Sequence, residues 1–256
     1  VEKRTDNLRE RQHDMSNWLD AYNPEPFIPY SAAHWAALMV GGLILFGLYA
    51  SRHWFRQSVR RMAILRYALA GVLVLCEVSL NVWYVSEGVY HVRDTLPLEL
   101  CTISLYLSIF MLGLRSRRLF QIVYFTGIGG AIQALLTPAL GYGFPHYRFL
   151  EFFIAHIAII ASSLYMVWME GYRPTFKSIW ITMGFLNLLL PFVYLVNTLT
   201  GGNYMFIARK PETGSLLDYL GPHPWYILSM EAVALMTFFL LYLPFAQPKP
   251  RREPGT

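Results

Sequence analysis

An all-α, polytopic membrane protein is the fold class this sequence predicts, and three observations predict it: composition, run length and the absence of alternation. Of 256 residues, 55% are hydrophobic and 16% aromatic against 14% charged, and the polar residues gather in short blocks between long apolar runs. A hydrocarbon core about 30 Å thick takes roughly 20 helical residues at about 1.5 Å each, and seven runs approach that length. None shows the short alternating segments of a transmembrane barrel, so a bundle of seven transmembrane helices is expected.

Taken in order, residues 1–33 form a polar N-terminal segment. Charges of both signs in VEKRTDNLRERQHD exclude a signal peptide's apolar core and a span. They predict a surface helix leading into the Pro-rich stretch NPEPFIPY, and the start at Val1 rather than Met reads as trimming. The transmembrane domain covers 34–245, with spans at 34–50, 62–86, 96–114, 119–137, 149–169, 176–200 and 225–245. In the fourth, Gly127, Gly129, Gly130, Ala131 and Ala134 predict close approach of a neighbouring helix. In the sixth, Pro191 predicts a bend that frees the Asn187 carbonyl. Residues 246–256 form a basic cytoplasmic tail.

The net charge of +5 acquires meaning from its placement. Arg52, Arg56, Arg60 and Arg61 separate spans one and two; Arg115, Arg117 and Arg118 separate three and four; Arg173 and Lys177 separate five and six; Lys249, Arg251 and Arg252 lie in the tail. Leaving out Lys3, Arg4, Arg9 and Arg11, which lie too far from span one to count, the opposite face holds Arg93, Arg148, Arg209 and Lys210. That asymmetry predicts an N-terminus outside and a cytoplasmic C-terminus. Without a continuous basic stripe, nucleic acid is excluded as a partner.

Depth then sorts the intramembrane polar residues. Cys101 lies about 6 Å below the outer boundary, Gln133 at similar depth, His156 about 10 Å, Glu231 about 9 Å and Asn197 about 5 Å, with Asn81 in the same layer. Residues three, four and seven apart share a helical face. The stripes are Arg66, Glu77, Asn81 and Tyr84; Cys101, Ser104 and Ser108; Thr126, Gly130, Gln133 and Thr137; and Asn187, Pro191, Tyr194 and Thr198. Polar faces turn away from lipid, so the stripes are expected to line one cavity open to the outside.

A thiol among apolar neighbours ordinarily behaves as a small hydrophobe, and a nucleophile at Cys101 requires a base nearby. His156 lies well inside a span at compatible depth, which makes Cys101 and His156 the candidate catalytic pair. Gln133 and Asn197 are candidate oxyanion donors, and Glu231 a candidate to orient the imidazole. Glu99, about 200° from Cys101, cannot share its face; it is expected to meet the helix N-terminus or to pair with Arg93 or Arg148. Glu77 is expected to pair with Arg66. In the aromatic outer loops, Arg148, Arg209 and Lys210 are candidates to hold a phosphate headgroup, against the plainer reading of an interfacial aromatic belt. Cys76 and Cys101 make neither a disulfide framework nor a metal site. With no phosphate loop, HExxH, GxSxG or CxxC, neither a metal nor a cofactor is called for.

The strings LPLELC, GIGGAIQALLTP, FPHYRFLEFFIAH, GGNYMFIARKP and LGPHPWY, spread in order over about 80–245, resemble the bacterial YwaF-like family of integral membrane proteins. That family is similar, more distantly, to a eukaryotic transmembrane acyltransferase group that remodels ether phospholipids through an intramembrane cysteine. The resemblance implies a bacterial plasma membrane location. It makes Cys101 the candidate acyl acceptor and His156 the match to a histidine of the span-five motif. Members often carry a histidine two residues before the cysteine, where this chain has Glu99. The expectation is an intramembrane phospholipid acyltransferase or transacylase acting on a phospholipid or lysophospholipid. The alternatives are a transporter or lipid- or small-solute-binding protein without covalent chemistry, and a scaffold whose polar groups serve helix association. The sequence carries no signal of oligomeric state.

Overall fold

A computed structural model describes residues 18–22, 24–210 and 219–246. The surface helix expected near the start falls on residues 1–17 and the basic tail on 247–256, both outside the described residues. All regular elements among the described residues are helical: α1 (Ala32–Ala50), α2 (Arg52–Arg56), α3 (Val59–Ser86), α4 (Leu100–Leu114), α5 (Arg117–Leu136), α6 (Tyr147–Trp168), α7 (Phe176–Thr200) and α8 (Trp225–Tyr242), with 3-10 turns at Tyr204–Phe206 and Leu243–Phe245.

Six of these, α1, α3, α5, α6, α7 and α8 with its 3-10 extension, are long and apolar enough to cross a membrane. The third expected span is shorter than the apolar run that encodes it. Pro97 disfavours helix at Leu96, and Glu99 takes an extended N-cap conformation, so α4 begins at Leu100 and has 15 residues. Hydroxyls cap the starts of α1, α3, α5 and α7, as good N-caps do. Ser31 accepts from the His34 N–H, Ser58 from Arg61 and Ser116 from Leu119, while Thr175 and Ser178 form a reciprocal capping box on α7.

α6 is the axis of the bundle. It packs against α1, α3, α4 and α5, whereas α5 touches α4, α6, α7 and α8. In α6, 72% of the apolar window is buried; in α8, 11% is, so the rest of the bundle leaves most of the outer helix uncovered. Small residues permit the close approach the sequence predicts. A Cβ on Gly127 would lie 3.0 Å from Ile159 of α6, and one on Gly129 would lie 3.3 Å from Thr237 of α8.

One expected polar stripe turns the other way. Asn187, Pro191, Tyr194 and Thr198 of α7 are all exposed. Asn187 Nδ2 donates to the Met183 carbonyl at 3.0 Å and Thr198 Oγ1 to the Tyr194 carbonyl at 2.9 Å. A donor satisfied by its own helix has no need of an interior partner, so polarity here does not mark an inner face.

Because the helices alternate in direction, the bundle has two chemically distinct ends. One gathers the N-termini of α4, α6 and α8 and is called the Cys101 end. The other gathers Arg52, Arg56, Arg115, Arg117, Arg118 and Arg173 and is called the arginine end.

Candidate functional site

Beneath the Cys101 end, α3, α4 and α6 enclose a polar layer. The buried Glu77 of α3 accepts from Tyr106 Oη at 2.7 Å and from Asn81 Nδ2 at 2.9 Å. These bonds replace the expected pairing with Arg66, which lies about 16 Å away along the helix and rests over the Tyr67 ring. On α6, Arg148 and Glu151 form an ion pair three residues apart, their side chains 15% and 7% exposed. The Arg148 guanidinium sits 5.5 Å from the Tyr84 ring and 5.9 Å from Trp83. Its charge is thus held within the bundle and does not project toward a headgroup. Tyr147 Oη donates to Ser79 Oγ at 2.7 Å and completes the layer.

Cys101 occupies the first turn of α4, half-buried, with the buried Ser104 and Ser108 below it on the same face. Ser108 Oγ donates to the Ser104 carbonyl at 2.7 Å, but Ser104 Oγ is buried without a hydrogen-bond partner. His156 is buried on α6, the helix that packs on α4. Its Nδ1 lies 2.7 Å from the Phe152 carbonyl. A carbonyl only accepts, so Nδ1 carries a proton, and in the neutral ring Nε2 keeps its lone pair. No hydrogen bond joins Cys101 to His156. The group that fixes the imidazole is the Phe152 carbonyl, not Glu231, whose side chain forms no hydrogen bond or ion pair among the described residues.

Above this layer residues 201–210, the described part of the chain after α7, fold down as a plug. Asn197 uses both ends of its amide on Tyr204, donating to its carbonyl at 3.0 Å and accepting from its N–H at 2.8 Å. Tyr204 Oη donates in turn to the Val92 carbonyl at 2.7 Å and accepts from the Leu96 N–H at 2.9 Å. Glu99 accepts from the Met205 N–H at 3.1 Å and pairs with neither Arg93 nor Arg148. Asn197 and Glu99 are therefore fasteners of this loop. Gln133 is exposed near the end of α5 and makes no side-chain hydrogen bond among the described residues, so it stands apart from the layer. Arg209 is exposed, its main chain held by Asn203; Lys210 Nζ lies 5.8 Å from the Tyr226 ring.

Two histidines carry structural work. His34, fully buried, accepts the Tyr30 N–H at Nδ1 (2.9 Å) and presents Nε2–H to the Leu135 carbonyl at 2.8 Å. It thereby satisfies one of the last carbonyls of α5, which lack intrahelical donors. His146 caps α6 by accepting the Arg148 N–H at 3.0 Å, and its Nε2–H reaches the Asp20 carbonyl at 3.2 Å. Burial holds this imidazole below its usual value, against the pull of the Asp20 carbonyl, and the Arg148 charge adds to the lowering. Residues 18–22 and 24–26 strap this end: Trp83 Nε1 donates to the Leu19 carbonyl at 2.8 Å, and the Gly143 N–H donates to the Glu25 carbonyl at 2.7 Å.

Glu151, Tyr106 and His34 escaped the sequence reading. Glu151 had a signal, because Arg148 three residues earlier is its neighbour on a helix. Tyr106 lies on a face defined only by the partner helix.

A sequence model of the TMEM164 family matches residues 29–242, which takes in every helix described above. No curated protein and no solved structure matches the chain.

Proposed function

Because the chain belongs to the TMEM164 family, a family of transmembrane proteins, we propose that it moves acyl chains between phospholipids through Cys101. The family and the six apolar helices make it an integral membrane protein. In this reading α4 supplies a seventh crossing. The arginine end faces the cytoplasm of a bacterium and the Cys101 end the outer leaflet.

The observation that carries the reading is the Ser104 hydroxyl, buried and unpartnered one turn below the thiol. A donor left open in the interior costs about 1–3 kcal/mol unless something accepts from it, and an ester carbonyl at Cys101 would be such an acceptor. The free lone pair on His156 Nε2 supports the same chemistry. The thiol proton passes to Nε2, the thiolate attacks the ester carbonyl of a phospholipid, and the carbonyl carbon–oxygen bond breaks. The departing lysophospholipid oxygen takes the proton back from the imidazole. A second lysophospholipid's hydroxyl then opens the thioester, gives up its proton through the same nitrogen, and regenerates the thiol. Ser104, in place of Gln133 or Asn197, donates to the oxygen as it becomes anionic. The sulfur and imidazole come into reach when lipid binds, since catalytic hydrogen bonds often tighten only in the complex.

The test is acyl exchange in liposomes of phosphatidylethanolamine and its lyso form, with intact-mass analysis of the protein. The expected result is a hydroxylamine-sensitive acyl adduct on Cys101 and loss of exchange in both Cys101→Ala and Cys101→Ser. Undiminished exchange in both variants would overturn the thiol mechanism. A second reading, lipid binding without covalent change, is favoured by the missing Cys101–His156 hydrogen bond. It expects Glu77→Gln to impair lipid retention and Cys101→Ala to leave it intact.

A further inference from the structure

At the arginine end, α2, the C-terminal end of α6 with the chain just after it, and the 3-10 turn that follows α8 leave a cavity of about 400 Å³ lined by Arg52, Arg56, Arg173, Trp168, Tyr172 and Phe245. Three guanidiniums with no carboxylate among the described lining residues make it strongly positive. The nearest acid along the chain, Glu170, is engaged by Arg115 and by Tyr165 Oη. Arg56 and Arg173 form no hydrogen bond or ion pair among the described residues, and both are exposed. Arg52 is held over the Tyr49 ring at 3.7 Å and gives one nitrogen to the Tyr49 carbonyl at 2.7 Å, which leaves four of its five N–H donors. The wall is firm. Gly171, at φ +72°, turns the chain so that the Tyr172 N–H reaches the Met166 carbonyl at 2.9 Å, and Tyr172 Oη is tied to the Arg115 carbonyl at 2.6 Å.

The geometry points to a phosphate-binding site here, one that takes the anionic phosphomonoester of a lipid headgroup or free phosphate. Planar guanidiniums match phosphate oxygens in pairs, the aromatic side chains offer apolar contact to what the phosphate is attached to, and the volume suits a ligand of headgroup size. The site rests on this cavity alone and stands or falls apart from acyl transfer at the other end.

The full chain in detergent is titrated with short-chain phosphatidic acid, short-chain phosphatidylcholine and inorganic phosphate, with native mass spectrometry as the readout. Phosphatidic acid is expected to bind at least tenfold tighter than phosphatidylcholine. The Arg56→Ala/Arg173→Ala double variant is expected to lose at least tenfold in affinity, while Arg118→Ala, at the same end but outside the cavity, matches the unmodified chain. Equal affinity for the two lipids, or an unaffected double variant, overturns the proposal. Should the double variant fail to fold, the unmodified chain decides: phosphatidic acid binding must weaken as salt rises from about 0.05 to 0.5 M, and salt-insensitive binding overturns it. Displacement of the lipid by millimolar phosphate assigns the site to phosphate itself; retention of the lipid assigns it to a headgroup, and either result keeps the site.

Discussion

The buried carboxylates at one end of the bundle and the exposed arginines at the other are handled in opposite ways. At the Cys101 end, Glu77 is bonded to Tyr106 and Asn81, Glu151 to Arg148, and Glu99 to the Met205 N–H. At the arginine end, Arg56 and Arg173 face a cavity with no internal partner among the described residues. Buried ionised groups must be paired where water is scarce, whereas charges at a wet boundary need not be. The difference teaches that the first set contributes to the fold and the second is left available to a ligand.

The largest expected effect comes from the plug. A Cβ on Gly202 would meet the Arg93 carbonyl at 2.6 Å, a backbone atom that cannot swing aside. Gly202→Ala should cost about 3 kcal/mol, within the range for backbone strain. Gly171→Ala at the other end meets nothing within 4 Å and has only its φ of +72° against it, for about 1 kcal/mol. Thermal unfolding in detergent ranks the two, and a reversed order would break the comparison.

Next in size is the Glu77 network. Tyr106→Phe should lower stability by about 2 kcal/mol, because it withdraws a donor from a buried carboxylate. The Glu77→Gln/Tyr106→Phe cycle should return a coupling of at least about 0.5 kcal/mol. Additive single effects would show that the two side chains do not act together.

A smaller effect depends on pH. With its native pKa lowered, His146 favours the folded state while neutral. That contribution is complete above the usual value of about 6.5 and is lost as pH falls through the lower native value. His146→Asn, which keeps a helix-capping side chain, should flatten the acid limb of a melting-temperature profile. An unchanged limb would remove His146 from the account. The smallest effect is expected at the arginine end: Arg56→Ala should shift stability by no more than about 0.5 kcal/mol, and a larger loss would mean that the arginine holds the fold after all.

The helical class was legible because length and hydropathy depend on the chain alone. What misled was facing. On α7, Asn187 and Thr198 obey helical phase yet point outward, since their own carbonyls satisfy them. Arg148 lies next to a loop in sequence and reads as free for a headgroup, but its partner Glu151 waits three residues on. Cys101 and Ser104 were visible as a stripe; that Ser104 lacks a partner depends on α3, α5 and α6, which no single helix encodes. Asn197 has the depth of an oxyanion donor, but a loop seven residues later claims it.

The brevity of α4 has a consequence for the surrounding lipid. With α4 as the seventh crossing proposed above, its fifteen residues rise about 22 Å, some 8 Å less than the hydrocarbon thickness, a mismatch a bilayer meets by thinning. In that reading the headgroup plane dips beside α4, and the ester region of nearby lipids descends toward the first turn. The protein should therefore sort toward thin membranes, and lipids of shorter chain should gather at its α4 flank.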